Sequence, residues 1–267
     1  MSLGTIEMTN TEGDEKPVVL IVAPGSGIGK VLVPYLIENG FRIISIGSEQ
    51  SSYFVNFLIS QGLDIEHIQI DYSSEESIMT AFRELRDLVP RLYGMVHLTG
   101  GSLYSRDADD YTLDEFRKVI DLNLTSAYLI GRETFKWMKE NNGGNMVFFG
   151  STTGKEPTAG KLAYAVGKAG VHMLGQAFAL EGSKFGIICN TLAPGYVMTD
   201  RHVEELNEYA DKNNLTIEEA ILGKVRRKNP LGGILNVEDI LPVVKLLLET
   251  TKMQGQVLTI DLGQTNL

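Results

Sequence analysis

Seven short apolar runs punctuate the chain, at 18–23, 42–46, 65–70, 94–98, 145–149, 187–192 and 256–260, and a stretch of helical period follows most of them. The runs are rich in Val, Ile and Phe and mostly continuous rather than alternating, the pattern of strands buried on both faces. Helical stretches occupy about 27–39, 50–61, 75–88, 113–140, 161–184 and 238–249. Within the third, Ser73-Ser74-Glu75-Glu76 reads as an N-cap followed by an acidic first turn. Strand–helix alternation of this kind implies an α/β fold: a parallel sheet with helices on both faces, three layers in all, doubly wound. The segment 199–233 breaks the rhythm, being polar and helical with no strand. A long insertion past the carboxyl end of a strand is where such sheets carry substrate-binding elements; its plainer reading is a surface excursion.

Composition narrows the function classes. A chain of 267 residues with 43% apolar and 22% charged residues can bury a large core unaided. The single cysteine, Cys189, forms no internal disulfide and suits a reducing compartment. The net charge of −10, from 34 acidic against 24 basic residues, argues against a nucleic-acid partner. No apolar run approaches the roughly 18–20 residues of a membrane helix. Residues 1–16 are polar and acidic, with neither a positive n-region nor an apolar h-region. They read as a flexible tail ahead of one domain over 17–267, and the expected location is cytoplasmic. His67, His97, His172 and His202 are scattered without ligand spacing, so no metal is expected.

The first apolar run leads through Ala23-Pro24-Gly25-Ser26-Gly27-Ile28-Gly29-Lys30 into a helix. Glycines there let backbone approach a pyrophosphate, and the helix N-terminus offers free N–H groups and partial positive charge. The plainer alternative is a tight strand–helix turn. A Walker loop is excluded, because Pro24 stands at its first glycine and Val31 follows Lys30. A Gly-x-Ser-x-Gly nucleophile elbow appears nowhere.

Tyr164 and Lys168 are four apart in Tyr-Ala-Val-Gly-Lys and share one helix face. Ser151 lies just past the fifth strand, and Asn123 sits mid-helix in Asp-Leu-Asn-Leu, where propensity disfavours it. Together with the glycine turn, Asp71, the Asn190–Gly195 stretch leading to Thr199, and the closing Gly255–Gly263 run, this ordered set resembles the short-chain dehydrogenase/reductase family over about residues 17–263. The resemblance implies a Rossmann fold, an NAD(P) cofactor and interconversion of a ketone with a secondary alcohol. A free tyrosine titrates near 10 and is a poor proton donor–acceptor at neutral pH, whereas a nearby ammonium favours its phenolate. Tyr164 is then the acid/base, Lys168 its tuner and a ribose ligand, Ser151 the group that bonds the substrate oxygen, and Asn123 the holder of a water beside Lys168. The same likeness assigns cofactor contacts to Gly25, Ser26, Gly27, Ile28, Gly29, Ser48, Asp71, Tyr72, Thr99, Gly100, Pro194, Gly195, Val197 and Thr199. For Asp71 the alternatives are a bond to the adenine amino group or a helix-preceding cap.

The sequence also departs from the family pattern. Val22-Ala23-Pro24 stands where Thr-Gly-x is usual, and His97-Leu98-Thr99-Gly100 replaces Asn-Asn-Ala-Gly. The second strand ends at Gly47, without the acid that pairs with ribose hydroxyls in NAD-preferring members; with Ser48 beside it the expectation leans to NADP, against Glu49. Small residues Ala163, Gly167, Gly170 and Ala177 suggest close helix packing, and the resemblance implies a homodimer or homotetramer. Tyr104, Tyr196 and Met198 would line a pocket for a small carbonyl or alcohol substrate. Lys224, Arg226, Arg227 and Lys228 form a basic cluster that is either a solvated helix end or a site for an anion. The pattern looks most like 3-oxoacyl-carrier reductases, with sugar or polyol dehydrogenases next. The reading from another class is a dinucleotide-binding sensor without turnover.

Overall fold

A computed structural model describes residues 16–265. The flexible tail expected over 1–16 therefore lies, Lys16 apart, outside the described residues. Strands β1 (Val18–Val22), β2 (Arg42–Gly47), β3 (Ile65–Gln69), β4 (Gly94–His97), β5 (Gly144–Phe149), β6 (Ile187–Pro194) and β9 (Val257–Ile260) form one seven-stranded sheet in the order β3-β2-β1-β4-β5-β6-β9. All six pairings are parallel. The doubly wound expectation holds, with β1 flanked by β2 and β4 at the point where strand order reverses.

Continuous apolar strands are explained by two cores. Val19 and Ile21 face one layer with Leu32, Val55 and Ile240, from helices α1 (Gly29–Glu38), α2 (Glu49–Ser60) and α9 (Val237–Glu249). Leu20 and Val22 face the other, with Phe82, Trp137 and Val171 from α3 (Glu75–Leu88), α5 (Ser126–Glu140) and α6 (Leu162–Gly182). Ser74 caps α3, its hydroxyl accepting from the Ser77 amide as its sequence suggests.

Two features were not anticipated. The helix expected over 113–140 is α4 (Leu113–Ile120) and α5 joined by a π-bulge over Asp121–Thr125. There the Asn123 amide donates to the Val119 carbonyl at 2.8 Å and the Ser126 hydroxyl donates to that of Leu122 at 2.6 Å, so side chains compete for carbonyls of the helical ladder. The second is a ribbon of β7 (Val197–Met198) and β8 (Leu235–Asn236) bracketing the insertion. Between them α7 (Asp200–Lys212) and α8 (Ile217–Lys224) close a small core of Leu206, Ala210, Ala220 and Val225.

Candidate active site

The glycine turn leaves β1 through Ala23, whose φ of +63° puts a side-chain-bearing residue in the left-handed region. The three glycines are needed for different reasons. A Cβ on Gly25 would stand 2.8 Å from Ser51 Cα of α2, and one on Gly27 2.7 Å from Thr199 Cβ. One on Gly29 would run into the Pro24 carbonyl. The Ser26 hydroxyl accepts from the Gly29 amide at 3.0 Å, and the Pro24 ring leans toward Gly47. Thr199 thus faces the turn across the crevice, and Lys30 and Asp200 span the same gap at 3.7 Å.

At the carboxyl end of β4 the chain passes directly over Lys168. Gly100, at φ +152°, has no room for a Cβ, which would meet Lys168 Nζ at 2.6 Å and Asn123 Oδ1 at 2.7 Å. Fully buried Asn123 clamps this loop, accepting from the Gly101 amide at 3.1 Å and donating to its carbonyl at 2.9 Å. Lys168 is 3% exposed and donates to the carbonyls of Phe149 at 2.8 Å and Thr99 at 3.5 Å. Burial pulls its pKa from 10.5 down to about 8.

Ser151 follows Gly150 at the end of β5. Its hydroxyl accepts from the Thr153 amide at 3.2 Å, and its own amide donates to His172 Nε2 at 3.3 Å. Tyr164, in the first turn of α6, lies toward the Ser151 side chain and one turn from Lys168, whose Nζ is 5.8 Å from the phenol ring centre. Burial holds the phenol above its ordinary value, while the Ser151 hydroxyl and the Arg201 charge pull the other way. Arg201 is thus a cation beside this phenol that the sequence did not suggest, while Lys168 is engaged with backbone carbonyls. Ser151, Tyr164, Lys168 and Asn123 nonetheless converge at the carboxyl ends of β4 and β5, beside the glycine turn.

The remaining expected contacts stand just past the carboxyl ends of β2, β3, β4 and β6. Ser48 precedes α2 with a hydroxyl uncommitted to capping, and Glu49 accepts from the Tyr53 hydroxyl at 3.0 Å. The Asp71 carboxylate is exposed and holds the turn before α3, accepting from the Ser73 amide at 2.8 Å, while the cap itself is Ser74. Burial pushes the Tyr72 phenol up to about 12; it lies toward Thr99 and Ser48 but outside hydrogen-bonding geometry. Pro194 ends β6, the Gly195 amide donates to Ile260 at 2.8 Å, and Val197 opens the ribbon. A dinucleotide fits this lining. Gly25 and Gly27 keep the turn free of side chains, and the buried hydroxyls of Thr99 and Tyr72 have no partner that a ribose or adenine would not improve on.

Two residues at the site were missed. His172 follows Lys168 by four on the same helix face, and that spacing was the available signal. Arg201 follows Thr199 by two and reaches Gly101 from α7. The small residues of α6 give the close helix packing that was expected of them. Gly167 and Gly170 admit Asn123 and Leu124 of the π-bulge, so they serve a contact within the chain. Among the described residues there is no group of three or more His, Cys, Asp or Glu able to hold a metal, and no helix long and apolar enough to cross a membrane.

A parallel sheet with this strand order and a glycine turn at its switch point defines a dinucleotide-binding oxidoreductase scaffold. The sequence profile of the short chain dehydrogenases matches residues 17–210, and the chain belongs to that family: it is a dehydrogenase or reductase of the NAD(P)-binding kind. It is 27% identical over 254 residues to a 2-dehydro-3-deoxy-D-gluconate 5-dehydrogenase of Pseudoalteromonas atlantica, covering 93% of this chain and 96% of that one. It is 26% identical over 188 residues to a 3-oxoacyl-(acyl-carrier-protein) reductase of Vibrio harveyi, covering 70% and 75%. A crystal structure of an actinorhodin polyketide ketoreductase with NADPH superposes with a TM-score of 0.86 at 22% identity, covering 96% and 99%.

Proposed function

We propose that this enzyme interconverts a ketone and a secondary alcohol, with Tyr164 as acid/base. The observation that carries the reading is the convergence of Tyr164, Ser151, Lys168 and Asn123 beside the glycine turn. When bound, the nicotinamide supplies or accepts the hydride at the carbonyl carbon. In the reductive direction Tyr164 gives its hydroxyl proton to the substrate oxygen as the C=O π bond breaks. Ser151 hydrogen-bonds that oxygen as charge develops on it. Lys168 holds the cofactor ribose and, with Asn123 and a water, returns a proton toward Tyr164. Gly25, Ser26, Gly27, Ile28 and Gly29 hold the pyrophosphate; Ser48, Asp71, Tyr72, Thr99 and Gly100 the adenosine side; Pro194, Gly195, Val197 and Thr199 the nicotinamide side.

NADP is the favoured cofactor in this reading. Gly47 leaves no acid to repel a 2′-phosphate, Ser48 has a hydroxyl to offer it, and Glu49 is turned to Tyr53. A titration with tighter binding of NADH than of NADPH refutes that preference. The substrate is a small carbonyl compound; 3-oxoacyl thioesters and sugar-derived ketones are the two classes acted on by the relatives named above. Residues 17–267 act as one cytoplasmic catalytic unit with 199–233 on the substrate side. Assembly is as a homodimer or homotetramer, through the face where Tyr128, Val166, Met173 and Leu180 are exposed. The decisive experiment follows oxidation of NADPH and NADH against a panel of ketones, with NADPH fluorescence reporting binding. Tyr164→Phe is expected to bind cofactor and turn over none. Wild-type rates in that variant overturn the assignment, and binding without turnover in the wild type supports a sensor.

A further inference from the structure

Two members of the basic cluster that the sequence leaves ambiguous, Lys224 and Lys228, act on Lys161 at the start of α6. Arg201, in the first turn of α7, brings Nη1 to 3.4 Å from where a Gly101 Cβ would stand, and its charge acts on Tyr164. Lys161 is the N-cap residue of α6, three residues before Tyr164. Lys224, at the end of α8, lays its ammonium 3.8 Å from the Tyr209 ring centre, which fixes it against α7. These groups share one field. Burial lowers the Lys161 pKa, and the positive charges of Arg201, Lys224 and Lys228 lower it further, while Glu205 is the carboxylate that offsets them. Glu205 is also the ion-pair partner of Arg201 at 2.8 Å, an exposed i,i+4 pair of a kind weak enough for a ligand to replace.

On a chain of net charge −10, four cations that act on one another, one of them against Gly101, call for a negative ligand. We propose that the substrate carries a carboxylate or phosphate group close to its carbonyl, and that Arg201 and Lys161 bind this group while Tyr164 and Ser151 hold the carbonyl oxygen. Arg201 supplies the planar fork that suits a two-oxygen anion, and Lys161 a point charge at the start of α6. Lys224 and Lys228 raise the local potential without contact. The proposal rests on the assignment of Tyr164 as proton donor only for the orientation of the carbonyl; the anion site can be tested apart from it.

Two measurements separate these points. The first compares kcat/KM for pairs differing in charge alone, acetoacetate with methyl acetoacetate and dihydroxyacetone phosphate with dihydroxyacetone. The charged member of one pair is expected to be preferred, and Arg201→Gln to lower that preference by about tenfold or more, as loss of a charged hydrogen bond implies. Which pair responds distinguishes carboxylate from phosphate. The second titrates malonate and inorganic phosphate into the protein by thermal shift, with and without saturating NADP. One anion is expected to bind the wild type about tenfold or more tightly than Arg201→Gln, with Lys161→Met weakened in the same direction. Equal anion binding by wild type and Arg201→Gln, which is also the result if the anion sits on the glycine turn, overturns the proposal, as does preference for the neutral ketones. Arg201-dependent anion binding with no ketone reduced upholds the anion site and refutes the ketone reading instead.

Discussion

Lys168 should make this protein more stable in alkali, and Lys168→Met should abolish that gain. Its pKa of about 8 in the folded chain, against 10.5 ordinarily, is a gap of about 2.5 units, or about 3 kcal/mol. Below about pH 8 the ammonium is charged in both folded and unfolded chains, and the burial penalty acts in full. Between about pH 8 and 10.5 the unfolded chain binds the proton that the folded chain has released, so stability rises with pH through that window. Methionine fills much the same space without a charge. It leaves the Phe149 carbonyl without its Nζ donor, a loss of about 1–3 kcal/mol that is independent of pH and shifts the variant's whole profile. The quantity to measure is therefore the difference in unfolding free energy between wild type and variant, from urea titrations at intervals between about pH 7.5 and 10.5. Groups common to both proteins cancel in it. The difference is expected to move by about 3 kcal/mol in favour of the wild type as pH rises, or about 6–12 °C in Tm for a chain of this size. Parallel profiles would show that the Lys168 ammonium is not desolvated, and the account of the β4–β5 junction given above would fail with it.

Three further outcomes follow from particular contacts. Asn123→Ala removes three buried hydrogen bonds, two of them to Gly101, and should lower stability by about 2–4 kcal/mol in urea titration; a loss under about 0.5 kcal/mol contradicts the clamp. Ala23→Gly relieves a left-handed φ worth about 1–2 kcal/mol but adds unfolded-chain entropy of about 0.4–1 kcal/mol. A net gain of about 0.5 kcal/mol is expected by thermal unfolding, and a clear loss would count against strain at this turn. Leu180→Glu puts a charge on a residue 81% exposed, and light scattering should report a smaller assembly than the wild type; an unchanged mass moves the interface away from α6.

Much of the architecture was legible because buried parallel strands must be apolar on both faces. The run at 18–23 became β1 with Val19 and Ile21 in one core and Leu20 and Val22 in the other. The convergence of Ser151 and Tyr164 was also legible, since a helix fixes the face shared by Tyr164 and Lys168 and a strand end fixes Ser151. The π-bulge was not, because its cause lies in which carbonyl the Asn123 amide reaches, although an asparagine inside an apolar helix was its trace. The charge balance around Tyr164 was also hidden. Sequence proximity pointed to Lys168 alone, whereas a further cation, Arg201, comes from a segment thirty-seven residues later. Periodicity carries no information about such long-range neighbours.

The ribbon of Val197–Met198 with Leu235–Asn236 gives the enzyme a modular seam. Because the chain leaves and re-enters at adjacent points, and because α7 and α8 bring apolar packing of their own, sequence drift beyond Thr199 and Arg201 would, on the proposed reading, reshape selectivity without disturbing the sheet below. Grafting a relative's counterpart segment across that seam is thus a natural route to an altered substrate range.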